Sequence, residues 1–297
     1  MEYFDINSVA ELHHFFRYSK PLHPLITIVD MGLVDRTHRK PNVGYRIGLY
    51  GITLKKVKGN FKYGRTHIDF AEGTMLFTSP DQILFPDPDN QVEGWGIFIH
   101  PDLLNATAKG RKLTEYSFFG YDFNEGLHVS DAEKKVIEAS LKNISSEISS
   151  TLDDHSHHLI LSNLELVLSY AARFYGRQFM TRVKPAHDLL ERFESLLTDY
   201  FKKDFLIQSG LPDGKYFAER LGISTNYLSD LLVKYTGKST QTHVHLKLID
   251  KAKHLLWSTS YSISEIAYDL GFEHPSHFTK LFKNKTGYSP KAYRALN

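Results

Sequence analysis

The chain has 297 residues, 41% hydrophobic, 24% charged and 13% aromatic, which is enough for about two globular domains and too apolar for a disordered tail. It contains no cysteine, which excludes disulfides, thiol nucleophiles and thiolate metal sites and fits a reducing compartment. The formal net charge of +2 hides a division: residues 1–180 hold 19 Lys and Arg against 22 Asp and Glu, whereas residues 181–297 hold 17 against 12, so the second half is the one suited to a polyanion.

The first thirty residues mix acids and histidines into their apolar positions and lack the basic start and apolar run of a secretion signal. No later stretch reaches 18 uncharged apolar residues, so the expectation is a cytoplasmic protein that does not engage a membrane. From residue 22 to 100 the chain reads as short strands: LITIVDMG from Leu25, YRIGLYGITLKKV from Tyr45, THIDF from Thr66, GTMLFTSP from Gly73 and GWGIFIHP from Gly94. Aromatic and β-branched residues fill these runs and Gly, Asn, Asp and Pro separate them. Many short antiparallel strands without intervening helices argue for a sandwich or jelly-roll barrel, which covers or closes its edges.

After residue 101 the apolar period changes. Residues 130–150 place Val136, Ile137, Leu141, Ile144 and Ile148 on one helical stripe, and Ser130 with Glu133 forms a capping box at its start. Residues 156–175 repeat the pattern with Leu159, Ile160, Leu164, Leu166, Val167, Leu168 and Tyr170, apolar around more than one face. The two segments predict an antiparallel helix pair behind the barrel, the second packed either on a further surface such as a partner chain or twice within one monomer. A helix follows over residues 185–201, and residues 208–214, QSGLPDG, read as a loop.

The strongest signal is an internal repeat at an offset of 49 to 50 residues. Ala218, Leu221 and Gly222 match Ala267, Leu270 and Gly271; Leu228, Leu231, Leu232 and Gly237 match Phe278, Leu281, Phe282 and Gly287. Each copy reads as helix, tight turn, helix: alanine allows close approach, glycine permits the sharp exit, and the apolar residues plug the angle between the helices. Ser224 caps the second helix of the first copy, Pro275 opens that of the second, and Ser262 with Glu265 is a further capping box. Residues 240–258 predict a long connecting helix between the copies.

Here the sequence resembles the AraC/XylS family of bacterial transcription regulators. The features that carry the resemblance are IAYDLGFEHPSHFTKLFKNKTGYSPKAYR, from Ile266 to Arg294, and the preceding AERLGISTNYLSDLLVKYTGKS. The resemblance implies an α+β chain with an N-terminal antiparallel jelly-roll (cupin-like) effector-sensing domain over 1–125. It implies a helical dimerisation segment over 126–180 and an all-α domain of two helix-turn-helix units over 181–297. It further implies a ligand-responsive, sequence-specific transcription regulator, more often an activator than a repressor. Its partners would be double-stranded DNA, a small-molecule effector such as a sugar or an aromatic acid, a second copy of the chain, and RNA polymerase. The competing reading is a small-molecule-binding cupin-like protein whose helix-turn-helix units have decayed or serve protein contacts.

A helix presented by such a motif enters the major groove, and two joined units meet successive groove faces about one turn apart. In the first unit the DNA-facing candidates are Thr225, Asn226, Ser229, Asp230 and Lys234. Asn226 suits adenine, Ser229 several bases, and Asp230 either cytosine N4 or repulsion of phosphate. In the second unit they are His274, Ser276, His277, Thr279, Lys280 and Lys283, with Lys285 beyond; the lysines at 283 and 285 suit phosphate. Lys280 stands where the family pattern carries arginine, which keeps the charge and loses the bidentate fork that reads guanine. Tyr293 and Arg294 match the closing YR of the pattern and are expected to hold the last helix.

For the sensing domain the candidates are Tyr45, Arg46, Tyr50, Tyr63, Arg65, His67, Trp95 and Phe98, which have stacking or hydrogen-bonding chemistry suited to a sugar or an aromatic acid, with alternate strand residues facing inward. No cofactor, metal or catalytic residue is expected, and the chain is not read as an enzyme. His23, His38, His67 and His100 show no HxH pair with a following glutamate, and the clusters at His13–His14 and His155–His158 are irregular. Nor does the chain carry GxSxG, a phosphate loop or a dinucleotide fingerprint.

Overall fold

The computed structural model describes residues 3–35, 43–57, 61–63, 66–68, 73–80, 82–84, 92–151, 153–181, 183–202 and 205–296. The chain divides into two compact units, Met1–Thr181 and Arg182–Asn297.

The first unit runs β1 (Tyr3–Ile6), α1 (Val9–Phe16), β2 (Ile26–Asp30), β3 (Gly44–Ile47), β4 (Tyr50–Val57), β5 (Phe61–Tyr63), β6 (Thr66–Ile68), β7 (Thr74–Thr78), β8 (Gln82–Leu84) and β9 (Val92–Ile99). It continues through α2 (Pro101–Asn105), α3 (Ala108–Leu113), two 3-10 turns, β10 (Leu127–His128), α4 (Asp131–Ser149) and α5 (Ser156–Thr181). A five-stranded antiparallel sheet has the order β10-β7-β4-β9-β2, a second has the order β1-β3-β8, and β5 pairs with β6. The expectation of antiparallel strands holds for every described pairing except β1 with β3, which is parallel, Phe4 lying beside Tyr45. The run from Tyr45 to Val57, one strand by its composition, breaks at Gly48, whose N–H donates to the Ile6 carbonyl as the chain leaves the small sheet and enters the large one.

Alternation along the large sheet separates two environments. Val29, Thr53, Gly96 and Phe98 share one face, and Phe98 joins Ile6, Leu12, Phe16, Tyr45 and Ile47 in a core common to both sheets and α1. Ile52, Met75, Phe77 and Ile97 point the other way, where Phe77 meets Phe118, Phe119 and Tyr175 with ring centroids 4.5 to 6.1 Å apart. Helix α1 escaped the sequence reading although its signals are local: Ser8 caps it by accepting from Glu11 N–H, and Val9, Leu12, His13 and Phe16 form its buried stripe.

In α4 the buried stripe is Ile137, Leu141, Ile144 and Ile148; Val136, expected on it, is 38% exposed, because one residue from 137 turns it about 100° to the flank. In α5, Ile160, Leu164, Val167 and Leu168 are buried, while Leu159, Leu166 and Met180 remain exposed. Arg177 ties α5 to the start of α4: its guanidinium grips both oxygens of Glu133 at 2.9 and 3.0 Å and donates to the His128 carbonyl at 2.7 Å. Glu133 also accepts from Ser130 N–H, so one carboxylate closes the capping box and the helix pair together. Arg177→Met is expected to destabilise the first unit by about 2 kcal/mol, the value of a charge-assisted bond set in partial burial, read as a lowered thermal midpoint. An unchanged midpoint would show that the pair contributes nothing net.

The second unit is helical throughout its described residues: α6 (Val183–Lys202), α7 (Phe205–Ser209), α8 (Gly214–Leu221), α9 (Thr225–Thr236), α10 (Thr240–Ser258), α11 (Ile263–Asp269), α12 (Pro275–Thr286) and α13 (Pro290–Arg294). Part of the expected 208–214 loop is therefore the end of α7. Phe193, Phe217, Phe278 and Phe282 are fully buried in one core with Leu228, Leu232, Leu248 and Ile266, each phenylalanine contributing up to about 3 kcal/mol. Among the described residues, no helix is long and apolar enough to cross a membrane.

Candidate nucleic-acid interface

The internal repeat is carried by matching backbone turns. Helix α8 ends at Gly222, in the left-handed region at φ 71°, and Ile223 N–H reaches back to the Ala218 carbonyl at 3.1 Å. Forty-nine residues on, Gly271 takes φ 81° and Phe272 N–H reaches the Ala267 carbonyl at 3.0 Å. A left-handed residue is the inexpensive way to reverse the chain here, and glycine alone adopts it freely.

The exits of the second helices also match. Thr236 donates to the Leu232 carbonyl and accepts from Lys238 N–H; Thr286 donates to the Phe282 carbonyl and accepts from Tyr288 N–H. Gly237 and Gly287 close the helices at φ 70° and 81°. Ser239 then caps α10 and Ser289 caps α13, so α13 stands where the first turn of α10 stands in the other copy. The repeat thus extends one helix beyond the segment visible by residue matching.

Within this scaffold α9 and α12 are each buried along one side. Leu228, Leu231 and Leu232 face the core from α9, and Phe278 and Phe282 from α12. Thr225, Asn226 and Lys234 are exposed and Ser229 and Asp230 half-buried on α9. On α12, His274, Ser276, His277, Lys280, Lys283 and Lys285 are exposed and Thr279 is half-buried. The sequence candidates therefore lie on two helix surfaces that the core leaves open. Charge differs between them: α9 balances Asp230 with Lys234, while α12 carries three lysines and no acid. Caps differ too. Side chains of Asp213, Ser224, Ser239, Ser262 and Ser289 cap α8, α9, α10, α11 and α13, whereas His274 at the start of α12 makes no capping bond and stacks edge-on with His277 at 5.5 Å.

Supporting contacts hold both surfaces. His243 of α10 packs edge-on against Phe193 and lies 2.8 Å from Thr236 Oγ1. Because that hydroxyl gives its proton to Leu232, His243 Nε2–H is the donor. Burial, then Lys238, pushes the His243 pKa below the usual histidine value. Arg294 donates through Nε to the Leu256 carbonyl at 3.1 Å, binding α13 to the end of α10, where cations are favoured. Tyr293 stacks on Trp257 at 5.0 Å. Both residues of the closing YR are occupied in holding the last helix.

The described effector candidates are not brought together. Tyr45 and Phe98 border a cavity of about 80 Å³ between the sheets. Arg46 lies on the exposed side, paired with Asp5 at 2.7 Å; Tyr50 packs edge-on against Phe119; Trp95 lines a shallow surface with Ile28 and Asp30. Tyr63 and His67 belong to β5 and β6, but their side chains, like the whole of Arg65, fall outside the described residues. Among the described residues, no group of three or more His, Cys, Asp or Glu is placed to hold a metal ion.

Residues 217–296 match a family model described as a helix-turn-helix domain. A segment of 144 residues, 48% of this chain, is 35% identical to the uncharacterized HTH-type transcriptional regulator YfiF of Bacillus subtilis, covering 41% of it. Over 77 residues, 26% of this chain, the identity to the HTH-type transcriptional activator RhaS of Salmonella arizonae is also 35%, covering 28% of that protein. The matches thus span less than half the length of either relative. A solved transcriptional regulator from Chromobacterium violaceum, described with AraC-type DNA-binding domain-containing proteins, is similar at 24% identity with a TM-score of 0.33, covering 37% of this chain and 93% of its own.

Proposed function

From an AraC-type helix-turn-helix domain at the C-terminus, we propose that this chain is a ligand-responsive, sequence-specific DNA-binding transcription regulator acting in the cytoplasm. The observation that carries the reading is the pair of helices α9 and α12, held by matching turns and each presenting polar side chains from an otherwise buried body. Asn226 and Ser229 have the chemistry for base edges, and Lys280, Lys283 and Lys285 for phosphates. The α12 start, free of a side-chain cap, leaves amide groups for a phosphate oxygen. Activation rather than repression is favoured by the similarity to a relative named as an activator; contact with RNA polymerase belongs to that reading.

The two-sheet unit is the sensor, a jelly-roll of the cupin kind, and α4 and α5 pair two copies. Leu159 and Leu166 stand seven residues apart on the exposed side of α5 and Met180 two heptads beyond Leu166, with Arg173 at the position between, a spacing that suits a helix–helix seam. The ligand biases the arrangement of the DNA-reading units by binding one arrangement more tightly.

Selection of duplexes from a random library by the full chain, at two salt concentrations, tests the proposal. Enriched sequence blocks with salt-sensitive affinity are expected. Absence of enrichment by the full chain and by residues 182–297 alike would sink it.

A further inference from the structure

Resting on the reading that the first unit senses a ligand, we propose that its site is a groove of about 780 Å³ at the edge strand β1, roofed by α1, which takes a neutral, polyhydroxylated ligand with an apolar face, a sugar or glycoside. The cavity that Tyr45 and Phe98 border between the sheets, about 80 Å³ among the described residues, falls well below the roughly 300 Å³ at which ligand pockets begin, whereas the groove lies within their range.

Chemistry selects the ligand. The apolar wall is aromatic: Phe4 and Tyr45 stack at 5.9 Å with their planes 20° apart, Phe15 meets Tyr45 at 4.7 Å, and Phe4 is 44% exposed. Tyr45, 4% exposed, backs the wall, while Phe4 and the half-buried Phe15 offer flat faces to the C–H face of a pyranose or to another ring. Two of the charged groups at the wall are paired, and one carboxylate, Glu11, is met by a backbone N–H. Asp5 is held by Arg46 at two points, 2.7 and 2.9 Å, and Arg17 by Asp35 at 2.9 Å. Glu11 accepts from Asn7 N–H at 2.7 Å. An anionic ligand would have to break one of these pairs and face the Glu11 carboxylate as well, while hydroxyls can donate to Asp5 and Glu11 without doing so.

The groove also has a mechanical outlet. His13 lines it and is itself 4% exposed, with Nδ1 on the Ser19 carbonyl and Nε2 on Thr27 Oγ1 at 2.8 Å. The carbonyl only accepts, so Nδ1 carries the proton and the ring is locked between α1 and β2. His13 lines a second, smaller cavity together with Ser145 and Ile148 of α4. Displacement of α1 by a ligand is thereby passed to β2 and the helix pair.

Titrating the full chain with neutral 4-nitrophenyl glucoside, galactoside and xyloside, and with anionic 4-nitrobenzoate, by saturation-transfer NMR tests this. At least one glycoside is expected to bind saturably and 4-nitrobenzoate not to bind. Phe4→Ala should weaken the glycoside at least fivefold, and Glu11→Gln, which keeps an acceptor for Asn7, at least threefold. Thr53→Leu, which fills the space between the sheets, should leave binding unchanged. Failure of all three glycosides, tighter binding of 4-nitrobenzoate, or loss of binding in Thr53→Leu with Phe4→Ala unaffected would overturn the proposal. Duplex selection reads the regulator function separately, so enriched duplexes with no glycoside binding reject the groove and leave DNA recognition standing.

Discussion

Replacing Lys280, Lys283 and Lys285 together by alanine is expected to weaken binding of the full chain to its selected duplex on the order of a thousandfold at about 0.05 M salt, with sequence preference retained. Each phosphate neutralised contributes about 0.9 to the slope of log affinity against log salt, so the slope should flatten by about 2.7 and the loss should shrink towards about 1 M salt. All three side chains are exposed, on a helix held by Phe278 and Phe282, so the thermal midpoint should stay within about 0.5 kcal/mol equivalents of the parent. The converse pair, Asn226→Ala and Ser229→Ala, should relax the sequence preference at a few positions by about 1–3 kcal/mol each and leave the slope alone. Fluorescence anisotropy across a salt series separates the two. Equal slopes in all variants would remove phosphate contact from α12.

The second large effect distinguishes two glycines that occupy the same place in the repeat. Gly222→Ala should cost about 1–2 kcal/mol, the price of a left-handed alanine, since nothing lies within 4 Å of the added methyl. Gly271→Ala should cost about 3–5 kcal/mol, because the methyl would fall 2.4 Å from the Leu206 carbonyl oxygen and 3.2 Å from Gly210 Cα, backbone atoms that move only if α7 shifts. Native-state hydrogen exchange of the segments around Ile266 and Phe282, in the full chain, reads the difference. Equal protection in the two variants would mean that α7 yields to the turn at no cost.

That contrast locates the boundary of what pattern can tell. Both turns were legible because a left-handed exit demands glycine and the apolar plugs recur at matching positions; these are local requirements, written in neighbouring residues. The contact of Gly271 with α7 was not, since Leu206 lies 65 positions away and the end of α7, residues 208–209, reads as loop. The extension of the repeat into α13 was hidden for another reason: Ser239 and Ser289 match, but only five residues of helix follow Ser289, against nineteen after Ser239.

In the first unit the strands between 26 and 99 announced themselves by β-branched and aromatic runs, yet their partners did not. The parallel pairing of β1 with β3 joins residues 41 apart, and no local rule sets a register over that distance. Arg46 illustrates the outcome. It has the chemistry of a ligand-binding residue, but its place in β3 turns it outward onto Asp5. Tyr50, likewise plausible by type, is occupied by Phe119.

By itself the sequence determined the class of the longer strands and of the helices α4, α5, α6 and α10, the two helix-turn-helix copies with their caps and glycine exits, and the polar residues that begin α9 and α12, because propensity, capping and turn chemistry act over a few residues. Tertiary structure alone decided which faces of α4 and α5 stay open, which side chains of the two sheets meet, and that α1 and β1 frame a groove. Those outcomes depend on contacts between residues far apart in the chain, where burial is set by what packs opposite and no periodicity in the sequence records the partner.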